Sequence, residues 1–171
     1  MKTFLFSCCT QSKRSEFNNP CAEIEDTDNF YCNFYENKEA LSIRYNTAIE
    51  TAIVQDVDWI VFHHDDIRFD TTAIAQKIEE LHTERGFQVI GVVGASRIKV
   101  EEPALWHIMG QKAAREGVTS LVGPLHGAVA HSGRNYAEKL DYRHMTSFGV
   151  YPHKAVLIDG VFMAIHRDVF T

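Results

Sequence analysis

The chain lacks several features that mark membrane, disulfide-rich or nucleic-acid-binding proteins. No apolar run approaches the roughly 20 residues that a membrane-spanning helix needs. The four cysteines show no CxxC spacing, so they indicate neither a zinc site nor a disulfide framework; they are Cys8, Cys9, Cys21 and Cys32. Lysine and arginine number 17 against 23 aspartates and glutamates, and the resulting net charge of −6 argues against a nucleic-acid binder.

What is present is the composition of one globular protein. Apolar residues make up 45% of the 171 residues and charged residues 23%, which is a balance typical of a folded domain. We therefore expect residues 1–171 to form a single domain. The apolar stretch at the amino terminus is too short for a signal peptide, and free cysteines suit a reducing compartment. These features predict a cytoplasmic protein.

Hydrophobic periodicity changes along the chain in the manner of an α/β protein. The alternation of strand and helix patterns over residues 3–95 predicts a mostly parallel central sheet. Its predicted elements are strands near 3–8, 59–63 and 88–95 and helices over 38–55 and 70–85, with Gly86 ending the second helix. Later apolar runs predict a mixed or antiparallel extension of the same sheet; they cover 118–122, 125–130, 155–158 and 161–165.

Four titratable residues, His63-His64-Asp65-Asp66, directly follow the buried run Trp59–Phe62. In open α/β sheets, ligands bind outside the carboxyl ends of the strands. Two adjacent carboxylates repel each other unless a cation offsets their charge. Oxygen ligands favour Mg²⁺ or Mn²⁺, an imidazole shifts the preference toward Mn²⁺, and such a cation would hold a diphosphate. The alternative is that Asp65 and Asp66 only cap the next helix.

Three segments in order carry a resemblance to a known family. A helix with the pair Tyr45-Asn46 leads to the strand that ends in His64-Asp65-Asp66, an apolar strand with glycines covers Val89–Gly94, and Val156–Phe170 reads VLIDGVFMAIHRDVF. Together they resemble glycosyltransferases of the GT-A, family 2 type, over most of residues 41–170.

The resemblance implies a GT-A-like, Rossmann-like fold with a mostly parallel central sheet, flanking helices and a mixed carboxyl-terminal extension. It implies transfer of a sugar from a nucleoside-diphosphate sugar, foremost a UDP-sugar, to an acceptor of unknown identity, with inversion. Asp66 and His64 would hold Mn²⁺ or Mg²⁺, and Asp65 would contact the ribose or the metal. Tyr45 and Asn46 would help to bind the nucleotide.

The same resemblance places Asp159 at the acceptor side of the donor sugar, where it would act catalytically. The alternative is a turn aspartate that bonds its own backbone. His166 is a further candidate metal ligand, against the simpler interpretation of a surface histidine at a strand end.

The family usually continues beyond the Val-Phe end with a Phe-Asp-Glu segment and an acidic catalytic base, whereas this sequence stops at Thr171. We expect a truncated chain, a base from elsewhere, or a catalytically inactive binding module. A nucleotidyltransferase or phosphohydrolase could use the same metal site. The absence of glycine from residues 8–16 counts against nucleotidyl transfer, which favours a glycine-rich loop after the first strand.

Overall fold

The chain forms two compact units: unit 1 comprises Met1–Ile90 with Gly160–Thr171, and unit 2 comprises Gly91–Asp159. The computed structural model describes residues 2–8, 29–34, 37–64, 73–98, 125–132, 142–149 and 152–171. Within four strand segments, 4–8, 29–34, 129–132 and 142–148, the description covers the backbone.

Nine strands and three helices occur in the described residues. The strands are β1 Thr3–Cys8, β2 Asn29–Phe34, β3 Trp59–His63, β4 Val89–Gly91, β5 Val93–Ala95, β6 Leu125–Ser132, β7 Tyr142–Phe148, β8 Leu157–Ile158 and β9 Phe162–His166. The helices are α1 Leu41–Val54, α2 Ile74–Arg85 and α3 Arg167–Phe170. Among them, none combines the length and apolarity that crossing a membrane requires.

Unit 1 contains a five-stranded sheet in the order β2-β1-β3-β9-β4. β1 pairs in parallel with both β2 and β3, whereas β9 runs antiparallel to β3. All five residues of β3 are buried, which makes it the central strand of the unit.

The two faces of β3 carry separate hydrophobic cores, since successive side chains of a strand point to opposite sides. Trp59 and Val61 pack with Ile78 of α2 on one face. Ile60 and Phe62 pack with α1 on the other face. The predicted helices therefore exist, and Gly86 ends α2 in the left-handed conformation with φ of 66°, as predicted.

Unit 2 contains a second, four-stranded sheet in the order β7-β6-β5-β8. Its pairings β5–β6, β5–β8 and β6–β7 are all antiparallel. The small core of this sheet is formed by Val93, Ala95 and Leu125, with Ile98 and Leu157 packed against it.

The predicted GT-A-like, mostly parallel central sheet is wrong. The predicted strand over 88–95 is broken at Val92, so that β4 joins the first sheet and β5 joins the second. The later runs do not extend one sheet: β6 and β8 belong to the second sheet, and β9 enters the first sheet antiparallel to β3. Six strand pairings have a described direction: four are antiparallel, and the two parallel ones join β1 to β2 and β1 to β3. The predicted strand over 118–122 lies outside the described residues.

An ion-pair cluster ties α3 to the loop between α1 and β3. The guanidinium of Arg167 donates to Asp56 Oδ1 at 2.7 Å and lies 3.6 Å from Asp58 Oδ1. Asp58 Oδ2 in turn accepts from the backbone N–H of Lys2 at 2.8 Å. The hydrogen bond and the charge of Arg167 lower the pKa of Asp56 below its ordinary value.

Arg167→Gln should therefore reduce stability in a pH-dependent manner. The folded protein holds the pKa of Asp56 below its unfolded value of about 3.9, so the unfolded state binds more protons as the pH falls through this range. The contribution is present above the unfolded pKa and lost below the folded one. Urea unfolding between pH 6 and pH 2 should show the difference between wild type and Arg167→Gln shrinking toward acid. Lys77→Gln, an exposed substitution on α2, serves as control; a pH-independent difference for Arg167→Gln would refute the assignment.

Candidate functional site

The carboxyl ends of three parallel strands meet at one edge of the first sheet. Ser7 of β1 is the register partner of His63, the last residue of β3. Cys8 of β1 pairs with Phe34, the last residue of β2. This parallel part of the sheet therefore has the kind of edge at which ligands bind in α/β proteins.

His63 is the last buried residue before this edge, with a relative exposure of 3%. Strand alternation places it on the side of Trp59 and Val61, which faces α2. Its Nδ1 lies 2.8 Å from the carbonyl oxygen of His64. Because a carbonyl oxygen can only accept, Nδ1 carries the hydrogen of this bond.

His64, the predicted metal ligand, is exposed immediately beyond β3. Its backbone N–H donates to the carbonyl oxygen of Val161 at 3.1 Å, one residue before β9. The other predicted ligands, Asp66 and Asp65, lie outside the described residues. Among the described residues, which do not include these two carboxylates, no three His, Cys, Asp or Glu side chains are grouped to hold a metal.

The predicted nucleotide residues Tyr45 and Asn46 have different environments on α1. The ring of Tyr45 stacks on the ring of Phe62, with centroids 4.1 Å apart and planes at 27°. Tyr45 thus contributes to the core between α1 and β3. Asn46 is exposed and therefore accessible to a ligand.

Asp159, the predicted catalytic residue, is half-buried directly after β8 in unit 2. Its backbone N–H donates to the carbonyl oxygen of Val93 at 2.9 Å, which extends the pairing of β5 with β8. The two glycines near this point have different surroundings. A Cβ on Gly94 would overlap the carbonyl oxygen of Leu157, whereas a Cβ on Gly160 would meet no described atom within 4 Å.

His166 lies at the opposite end of β3 from His64. It is the register partner of Trp59, whereas Phe162 is the partner of His63, so four residues of strand, about 13 Å, separate the two ends. The His166 ring stacks on His82 at 4.5 Å and meets Trp59 edge-on at 4.9 Å. These contacts give it a packing role, and it is not a ligand at the His64 edge.

Two histidine environments were not predicted from the sequence. The buried position of His63 could have been predicted, because strand alternation places its side chain on the same face as Trp59 and Val61. In unit 2, His126 Nε2 lies 3.1 Å from Ser96 Oγ, and the His126 ring stacks on His153 at 3.8 Å. No motif spacing relates these three residues, so only the fold brings them together.

Comparison with known proteins gives little further guidance. No protein-family model matches the chain, and no curated protein does. A solved structure, the crystal structure of A197 from STIV, is similar over 99% of this chain and 67% of that chain, with a TM-score of 0.49 and 16% identity. Similarity at this level assigns neither fold nor function.

Gly94→Ala should destabilise unit 2, whereas Gly160→Ala should not. The new Cβ at Gly94 would overlap the carbonyl oxygen of Leu157 and separate β5 from β8, an overpacking that costs about 1–3 kcal/mol. Because no described atom would lie within 4 Å of a Cβ at Gly160, we expect Gly160→Ala to change stability by no more than about 0.5 kcal/mol. Chemical denaturation followed by circular dichroism measures both free energies. Equal stability of the two variants would contradict the close pairing of β5 with β8.

Proposed function

We propose that the chain is a metal-dependent glycosyltransferase. It moves a sugar from a nucleoside-diphosphate sugar, foremost a UDP-sugar, to an acceptor hydroxyl. The observation that carries the proposal is that His64 lies exposed at the carboxyl ends of the parallel strands. The sequence continues from this point with two carboxylates, and the order of the three family-like segments supports the same chemistry.

The donor set at this edge suits a divalent cation. His64 offers an accessible imidazole, and Asp65 and Asp66 follow it in sequence with carboxylate oxygens. One imidazole with carboxylates is a set that Mn²⁺ accepts, and Mg²⁺ accepts the oxygens. His64 and Asp66 would hold the cation, which would stabilise negative charge on the departing diphosphate.

The remaining residues have roles in binding and proton transfer. Asp65 would contact the ribose or the cation, and the exposed Asn46 is available to the nucleotide. The acceptor oxygen forms a bond to the anomeric carbon while the bond from that carbon to the diphosphate oxygen breaks. The proton of the acceptor hydroxyl passes to a carboxylate, the role that the family resemblance assigns to Asp159. A single displacement of this kind inverts the anomeric centre.

The first test is the linkage of metal and nucleotide binding. UDP should bind more tightly in Mn²⁺ than in EDTA, because the cation supplies the positive charge that the diphosphate needs. Asp66→Asn and His64→Ala should abolish this difference while the fold is retained. Isothermal titration calorimetry measures the affinities, and Glu50→Gln, an exposed carboxylate change on α1, is the matched control. Equal UDP affinity of the wild type in Mn²⁺ and in EDTA would rule out the proposed metal site.

The second test concerns Asp159. Asp159→Asn removes the proton acceptor, so sugar transfer should fall by at least about 100-fold while UDP affinity stays near that of the wild type. Transfer is followed by UDP release from a panel of UDP-sugars and acceptors. Glu84→Gln, an exposed carboxylate change on α2, should transfer at the wild-type rate. If Asp159→Asn also does so, Asp159 is a structural turn residue and the base must be sought elsewhere.

A further inference from the structure

Both backbone polar groups of His64 are held by unit 1. Its N–H donates to Val161 at 3.1 Å, and its carbonyl oxygen accepts from Nδ1 of His63 at 2.8 Å. The partner of the N–H is a backbone carbonyl next to β9, and the partner of the carbonyl oxygen is the side chain of His63. His64 is therefore fixed at the point where the chain leaves the sheet.

The ring that holds the carbonyl is itself fixed. His63 is 3% exposed, and it ends a strand whose other four residues are 0–1% exposed. Its backbone pairs with Phe162 of β9 on one side and with Ser7 of β1 on the other. A side chain packed in this way has little freedom to change rotamer, so its N–H keeps one direction.

We infer that His63 is a positioning residue for His64, an inference that rests on the proposed function. The carbonyl of His64 belongs to the peptide plane that joins His64 to the next residue, and the six atoms of such a plane move together. By fixing this plane, the Nδ1–H of His63 holds the backbone of His64, which carries the imidazole proposed to bind the cation. Groups that orient metal ligands typically change metal affinity 10–100-fold when removed.

The chain offers a matched set of variants at this position. His63→Asn keeps an N–H donor at the same number of bonds from Cβ as Nδ1, and His63→Gln places its donor one bond further away. His63→Leu removes the donor and keeps an apolar side chain. If His63 only fills space, His63→Asn should not bind Mn²⁺ more tightly than His63→Gln or His63→Leu.

Metal affinity is measured by Mn²⁺ electron paramagnetic resonance, without nucleotide or acceptor. His63→Leu and His63→Gln should bind Mn²⁺ about 10–100-fold more weakly than the wild type, and His63→Asn within a few-fold of it. Wild-type affinity in His63→Leu, or equal weakening in all three variants, overturns the positioning role alone. Absence of Mn²⁺ binding by the wild type overturns the proposed function together with the inference.

A second measurement does not depend on variants that fold. Nitrogen-15 chemical shifts of the imidazole in the metal-free wild type should show His63 with hydrogen on Nδ1, in slow exchange with water. A ring that carries hydrogen on Nε2 alone cannot make the bond to His64 and would overturn the inference. Amide hydrogen exchange at His64 should accelerate in His63→Leu and stay slow in His63→Asn; unchanged exchange in His63→Leu counts against it.

Discussion

Burial of β3 on both faces is the constraint on which unit 1 depends. Because helices cover both faces of β3, a polar side chain in the middle of the strand would be buried and would need a hydrogen-bond partner. The middle residues Ile60, Val61 and Phe62 are all apolar and are 0–1% exposed. Its polar groups are confined to the two ends. At one end, Trp59 Nε1 donates to Glu79 Oε2 at 3.2 Å, and at the other, Nδ1 of His63 donates to the His64 carbonyl. The change from apolar to titratable residues in the sequence therefore marks where the strand meets solvent.

The helices and several strands were predictable from the sequence, whereas β2, β7 and the pairing of the strands were not. Helices α1 and α2 and strands β1 and β3 follow from local periodicity, which a sequence displays directly. Strand partners depend on contacts distant in sequence. The run over 88–95 has one hydrophobic pattern, yet it divides at Val92 into strands of two different sheets. Similarly, the pattern of residues 161–165 does not predict that β9 lies between β3 and β4.

The candidate site shows the same division. The position of the apolar run was sufficient to place His64 at the carboxyl end of β3, and Asp65 and Asp66 stay predictions because they lie outside the described residues. The ring of Tyr45 stacks on Phe62, a packing contact that sequence spacing could not predict, and its role toward a nucleotide stays a prediction. His63 is a similar case, since its hydrogen bond to a neighbouring carbonyl is visible only in three dimensions.

The place of β9 in the first sheet has a consequence for the order of folding. Unit 2 is one continuous stretch of sequence, whereas the sheet of unit 1 needs residues from both sides of that stretch. β3 pairs with β1 along one edge and with β9 along the other. During synthesis β3 emerges about a hundred residues before β9, the strand that pairs with this second edge. We expect that edge to stay unpaired until β9 is available, which makes the nascent chain susceptible to strand-mediated association during this interval. Pairings so distant in sequence also slow folding, so unit 2 should acquire its structure while unit 1 is still incomplete.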